Sequence, residues 1–477
     1  MFSRALRRRS AVRGRARLET AQSTARQFKP AQIARRVPVL GIRDFRLLLV
    51  DRVLAPGSFA FSMVGVSFAV LDATHGSTAK LSYVLAAQIA PSLLFLLLGG
   101  VIADRIAPQK VIIVGNVMMA VSEGTFGILL LTGHPALWQM IGLESVTGIG
   151  MALFYPASTA LLPRLVPADL MQEASAVSRL AMNGGQMGGA VVAGFVIAAI
   201  DAVQGAHGGQ PAGPGWALAI CGIGLLGTVP LMLSLRVTAL ERAHQPGMLQ
   251  ELREGWTEFR SHTWLWVIVG QFSIVLMAWY GSFSVLGPVV ARAHLGGPAA
   301  WGTITGAESL GWIAGGLISL RFKPSRPMRF VVLAGASIAI TPLALAMLWP
   351  LPVICVTSFL LGTAMEIMMV QWTVALATNI PPEKLARVSS YDAFGSIMAM
   401  PIGAVLAGPI AAWVGVAATQ YGAAVLIVGV SLLALIAREI RTLRADQLGA
   451  PGRGGPDIPA VPLQEAAPAL AAAPVGR

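Results

Sequence analysis

Residues 188–198, "GGAVVAGFVIA", and residues 402–412, "IGAVLAGPIAA", carry the same alternation of small and branched residues at an offset of 214. The register reaches well outside the quoted pieces. It pairs Gly148 with Gly362, Met151 with Met365, Thr159 with Thr373 and Leu162 with Leu376. Further on it pairs Pro167 with Pro381, Ser175 with Ser389, and Gly189-Ala190-Val191 with Gly403-Ala404-Val405. No gap is needed anywhere in that span. The chain writes one apolar unit twice, which is how an internally duplicated architecture reads.

Composition says what solvent the unit is built for. Of 477 residues, 55% are hydrophobic and 12% charged, about half the charged share of a soluble domain. Surface that charge cannot cover must face lipid. Apolar windows fall at roughly 45–71, 80–102, 110–132, 136–160, 172–200 and 215–236. After a polar interval others follow at roughly 263–292, 299–321, 328–349, 351–378, 388–414 and 416–438. Each is long enough to cross a hydrocarbon core of ~30 Å. The expected fold is an all-α integral membrane protein with twelve transmembrane helices in two parallel six-helix halves, 45–236 and 263–440. Cys221 and Cys355 both sit in apolar runs with neither disulfide nor metal spacing, and read as core residues.

The net charge of +13 is concentrated rather than spread. Residues 1–43 hold twelve Arg or Lys against Glu19 alone, so that segment carries +11. No apolar run precedes residue 38, which argues against a cleaved secretory signal. The segment 1–44 reads as a basic, disordered cytoplasmic tail resting on anionic lipid, with an organellar transit peptide as the alternative. Nucleic acid is not an expected partner.

Short-loop Lys and Arg fall on one side: Arg105, Lys110, Arg164, Arg236, Arg242, Arg253, Arg260, Arg321, Lys323, Arg326, Arg329, Lys384, Arg387 and Arg438. Only Lys80 and Arg292 fall on the other. The positive-inside rule then makes both termini cytoplasmic. Residues 237–262, with Leu249, Leu252, Trp256 and Phe259 at helical spacing, read as an amphipathic linker on the inner surface. Residues 441–477 read as a second disordered tail. Two repeats that both start from the cytoplasm are parallel repeats, with a cleft between them that rocking exposes to either side. That architecture belongs to a transporter.

Residues 45–440 resemble the major facilitator superfamily. "GGVIADRIAPQKVI" is similar to the family's signature loop between spans two and three: Gly100, Asp104, Arg105 and Lys110 match, while Ala107-Pro108-Gln109 replace its Gly and basic cluster. The second-half echo keeps Gly316 and Arg321 but has Leu320 where the acid would stand. The stretches following Phe68 and Arg387 look like the bacterial branch that includes enterobactin exporters and macrolide efflux proteins. That resemblance implies twelve spans, export, and coupling to protons. The fifth-span antiporter signature is only echoed, with Gly185, Gly189 and Gly194 in place but Ala190 and Ala193 departing from it. In the fourth span Glu144 precedes Gly148-Ile149-Gly150 where drug antiporters carry a basic residue, so the usual proton relay does not transfer.

Ionisable side chains inside spans cost roughly 2.5–3.5 kcal/mol each at mid-bilayer, which makes them site candidates. They are Asp51 and Arg52 in the first span, Glu123 in the third, Glu144 in the fourth, Glu308 in the eighth and Glu366 in the tenth. The resemblance implies that spans one, four, seven and ten line the cleft, which favours Asp51, Arg52, Glu144 and Glu366. Glu123 then reads as a helix–helix hydrogen-bonding group, and Glu308 is intermediate. Adjacent Asp51 and Arg52 cannot face one another, so each is expected to find a partner on another helix or to anchor the cytoplasmic end. Glu366 has no basic neighbour along its own helix face and is the expected proton carrier. Gln271, Trp279 and Tyr280 offer polar and aromatic contacts to an amphipathic ligand, and Asp392 reads as a loop anchor in the gate.

No phosphate-cradling loop for ATP is present. No metal-ligand cluster or nucleophile–base pair stands out, so no cofactor and no enzymatic activity are expected. The expected function is proton-coupled export of a small, partly hydrophobic compound such as a drug, siderophore or natural product, by a monomer. The alternatives are an uncoupled facilitator or importer, and a transport-inactive membrane sensor or scaffold.

Overall fold

A computed structural model describes residues 38–442 apart from 134, 207–211, 236, 238–255, 323 and 381; for residues 96–105, 168, 205, 382, 383, 386, 387 and 442 it describes the backbone alone. The basic segment 1–37, most of the linker including Leu249 and Leu252, and the tail from 443 lie outside the described residues.

The chain runs through α1 (Arg43–Ala73), α2 (Thr78–Arg105), α3 (Pro108–Thr132), α4 (Leu137–Leu161), α5 (Met171–Ala206) and α6 (Gly213–Leu233). The second half has α7 (Thr263–Leu295), α8 (Pro298–Ser319), α9 (Pro327–Ala346), α10 (Leu351–Asn379), α11 (Pro382–Ile397 continued by Met400–Val414) and α12 (Val416–Ala434). Among the described residues ten of these segments are long and apolar enough to cross a membrane. The other two, α2 and α8, are 28 and 22 residues long, which also suffices at about 1.5 Å per residue.

Local chemistry explains the irregularities. Pro401 lacks an N–H and its ring crowds the carbonyl of Ile397, which is where α11 breaks. Pro342 does the same to Ile338, dividing α9 into Pro327–Ser337 and Ile340–Ala346. In α7 two π-helical stretches, Tyr280–Val285 and Ala291–Leu295, interrupt the α-helix. Such widened turns re-aim side chains and gather at functional sites.

The repeat becomes a set of matching contacts. In the first half α1 packs on α5 and α6, α2 on α4, and α3 on α4 and α6. In the second half α7 packs on α11 and α12, α8 on α10, and α9 on α10 and α12. The duplicated glycines sit where these pairs touch. A Cβ on Gly148 would strike the carbonyl of Gln88, joining α4 to α2; on Gly362 it would strike that of Glu308, joining α10 to α8. Gly189 lies against Gly57 of α1, and Gly403 against Met277 of α7. The two halves meet by the same symmetry, α5 on α8 and α2 on α11. There Gly194 lies against Pro298 and Gly302, and Gly408 against Thr78 and Ser82. Small residues let these backbones approach, which is the attraction available to helices in lipid.

Two boundaries differ from the sequence expectation. Residues 38–44, assigned to the tail, are docked: Pro38–Gly41 forms a 3₁₀ turn, and Val39 is buried with Phe45, Val166 and Ala174. Two apolar side chains, Val39 and Leu40, between Pro38 and Gly41 are too short a signal to separate from a tail. Residues 256–261, the described end of the linker, form a helical turn that packs on the second half. Phe259 is buried, Trp256 stacks on it at 5.7 Å, and Glu258 pairs with Lys384 of α11 at 2.8 Å.

Candidate functional site

A cavity of about 290 Å³ lies between the halves. Its walls come from α1, α5, α7 and α8: the first and seventh helices are among those the resemblance implied, while the fifth and eighth stand where it implied the fourth and tenth. The glycines supply the reason. Gly185 and Gly189 seat α5 directly on Val53 and Gly57 of α1, and Gly194 seats it on α8. Meanwhile Gly148 and Gly150 draw α4 back onto α2 and α3.

α5 contributes Asn183, Gln186 and Ala190, and α8 contributes Trp301, Thr305, Glu308, Ser309 and Trp312. Both sets recur at three- and four-residue steps, so each is one helix face. From α7 come Trp279, Phe283 and Ser284, at the first π-helical stretch. The Trp279 and Phe283 rings stack at 5.6 Å and 14°, and Phe283 meets Trp301 at 4.9 Å and 48°. The indole Nε1 of Trp279 is buried without a partner. Among the described residues no cation lies within ion-pair distance of Glu308.

Glu366 stands outside this cavity and is not unpaired. Its Oε1 accepts from Arg179 of α5 at 3.3 Å, an ion pair that crosses from one half to the other. Gly316 faces it from α8, so this member of the second-half echo gives Glu366 room. Arg321 and Leu320 are exposed at the end of α8. Gly100, Asp104 and Arg105 lie outside the residues whose side chains are described.

The candidate carboxylates of the first half, Asp51, Glu123 and Glu144, are internal to it. Glu144 is fully buried and accepts from Gln88 Nε2 at 2.7 Å, with Oε1 left unpartnered. Glu123, also fully buried, accepts from Ser62 at 2.7 Å and Thr147 at 3.3 Å. Arg52 donates to the Ser158 carbonyl of α4 at 2.7 Å and to Met182 Sδ of α5, while Asp51 Oδ1 is buried without a partner. Gln271 turns away from the cavity: it donates to Ser431 of α12 at 2.9 Å. Tyr280 packs against an apolar cluster drawn from both halves instead of lining the cavity. Asp392 accepts from Trp372 Nε1 of α10 at 2.8 Å and from Ser396, and so ties α11 to α10.

The sequence reading passed over Arg179, Asn183 and Gln186, although an in-span cation followed by polar residues four and seven positions on is a legible stripe. It also passed over Trp301, Thr305 and Trp312, which share a helix face with Glu308.

The two ends of the cleft differ. Where the α1–α2 and α7–α8 turns lie, Asp72 pairs with Arg292 at 2.6 Å and the Gly194 and Gly408 contacts bring the halves together. Toward the end bearing the basic loops, the halves are joined by the Arg179–Glu366 pair, whose Arg179 side chain is 70% exposed.

Comparison with known proteins agrees with this architecture. The chain is 26% identical over 411 residues to the enterobactin exporter EntS of Escherichia coli O1:K1, covering 84% of this chain and 93% of that one. It is 24% identical over 359 residues to macrolide efflux protein A of Streptococcus pyogenes, covering 72% and 84%. Among solved structures, the nucleoside transporter NupG superposes with a TM-score of 0.65 at 11% identity, over 84% of this chain and all of that one. A bacterial homologue of the lysosomal transporter Spinster, inward-facing and occupied, gives 0.63 at 14% identity, over 86% and 99%. The model of the Major Facilitator Superfamily matches residues 54–396. With that match over most of its length, two repeated six-helix halves and a cavity between them, the chain belongs to the major facilitator superfamily and is a membrane transporter, not an enzyme.

Proposed function

We propose that this protein exports a small, partly hydrophobic compound from the cytoplasm of a bacterium by alternating access, in exchange for protons. The observation that carries the reading is the asymmetry of the cleft. It is sealed by glycine contacts and Asp72–Arg292 at one end, and joined, among the described residues, by an ion pair whose arginine is in solvent at the other. The positive-inside rule puts the basic loops in the cytoplasm, so the weakly joined end is the one from which an exporter loads. The names of the relatives, an enterobactin exporter and a macrolide efflux protein, support export.

Coupling falls to a carboxylate that can change partners. Glu366 holds Arg179 in this state, and protonation would release the arginine and loosen the bridge between the halves. Proton entry from the opposite side would then return the transporter empty. The test is flux in everted vesicles energised to acidify their lumen, with candidate compounds chosen from the sensitivity profile of a deletion strain. Uphill uptake abolished by a protonophore is the expected result. Uptake that persists unchanged in the protonophore points instead to an uncoupled facilitator, and no substrate-dependent flux at all points to a sensor or scaffold.

A further inference from the structure

We infer that the inter-half cavity is a receptor for a monocationic, ring-bearing ligand, with Glu308 as its counter-charge and the surrounding indole rings as its wall. The inference rests on the cavity being the transport site, but binding stands or falls independently of flux.

Charge comes first. Of the residues that line the cavity, Glu308 is the ionisable one. Among the described residues no Lys, Arg or His reaches it. The nearest cation along α5, Arg179, stands one turn before Asn183 and is engaged with Glu366, so that pair adds no net charge to the wall. The other polar groups, among them Asn183, Gln186 and Ser309, are neutral. The cavity therefore presents one carboxylate at bilayer depth that has a hydrogen bond from Trp312 but no counter-charge, a placement that is costly unless something positive joins it.

The aromatic wall selects in the same direction. Trp279, Phe283, Trp301 and Trp312 all line the cavity, and the first three form a continuous run of ring contacts. An aromatic face carries the negative lobe of its quadrupole, so it attracts an ammonium group and repels an anion. Carboxylate and rings together disfavour anionic ligands twice over. Volume sets the remaining limit: about 290 Å³ lies at the small end of the range for small-molecule sites, enough for one ring system with one amine.

The test uses the purified full chain in detergent near neutral pH, titrated by calorimetry with benzyltrimethylammonium, whose charge is fixed, and with its neutral isostere neopentylbenzene. The cation should bind at least about tenfold tighter, the margin expected for one desolvated charge pair. Glu308→Gln should remove that margin while leaving the neutral compound's affinity unchanged, and Glu308→Asp should retain part of it. Trp301→Leu should weaken the cation more than the isostere. Equal affinity for the two compounds in the unaltered protein overturns the inference, as does tighter binding of benzenesulfonate. Undiminished cation binding by Glu308→Gln overturns it too. If that variant fails to elute as a single species, the three-ligand comparison on the unaltered protein decides alone. Cation selectivity without vesicle flux would defeat the export reading and leave the receptor standing; flux without selectivity would do the reverse.

Discussion

Arg179 reaches Glu366 across the gap between the halves at 3.3 Å, with its own side chain 70% exposed and that of Glu366 10% exposed. The guanidinium stays in solvent, so separating the pair costs little on the arginine side, which suits a bridge that must break in every cycle. Arg179→Gln leaves the buried Glu366 carboxylate without its partner and should destabilise by about 1–3 kcal/mol, whereas Glu366→Gln removes the charge and should change stability by no more than about 1 kcal/mol. Glu366→Gln should nonetheless abolish gradient-driven uphill flux while downhill exchange persists. Full gradient-driven activity in that variant would assign coupling to another carboxylate. Glu123 is the opposite kind of acid. It is buried beneath two hydroxyls, so losing a donor is not repaired by water. Ser62→Ala should destabilise the protein by about 1–3 kcal/mol, read as a lower melting temperature. An unchanged melting temperature would mean that Thr147 alone satisfies Glu123.

α4 shows how one helix serves two environments. Gly142 is exposed and nothing would meet a Cβ there, whereas Gly148 lies against the backbone of α2. Gly142→Ala should be neutral or stabilising by up to about 1 kcal/mol, because alanine is the better helix former. Gly148→Ala must push α2 away and should lower both stability and membrane abundance, and Gly362→Ala should do the same through α8. Equal melting temperatures for the alanine variants at 142 and 148 would show that the α2–α4 contact is slack. A glycine thus reports helix pairing only where another backbone lies against it, as at 148 and not at 142.

For the molecule as a whole, the seal combines many apolar and backbone contacts with one ion pair. Phe61, Phe68, Ala193 and Ile197 of the first half share a core with Phe283, Trp301 and Ile304 of the second. Asp72–Arg292, at 28% and 38% exposure, adds a small increment to that. Asp72→Asn should shift the equilibrium toward opening at that end by about fivefold or less, since roughly 1 kcal/mol is at stake. Spin-label distances between the α1–α2 and α7–α8 turns would measure it. A complete switch of population would mean that the pair, rather than the glycine contacts, holds the seal.

Length, apolar windows and an ungapped repeat were sufficient to determine twelve helices in two parallel halves, because bilayer thickness and backbone hydrogen bonding leave a lipid-bound chain few choices. The acids were legible for the same reason: a carboxylate inside a span is conspicuous against its neighbours. Which acids share a site was not legible. Glu308 and Trp279 line one cavity, Glu366 meets an arginine 187 positions earlier in the chain, and Glu144 and Glu123 are enclosed within one half. Helix rotation decides this, and it is set by where backbones can approach. A glycine on the helix itself, such as Gly189 of α5 against Gly57 of α1 or Gly148 of α4 against Gln88 of α2, turns α5 into the cleft and draws α4 out of it. Sequence spacing fixes the face on which a side chain stands; only packing against other helices determines what that face meets.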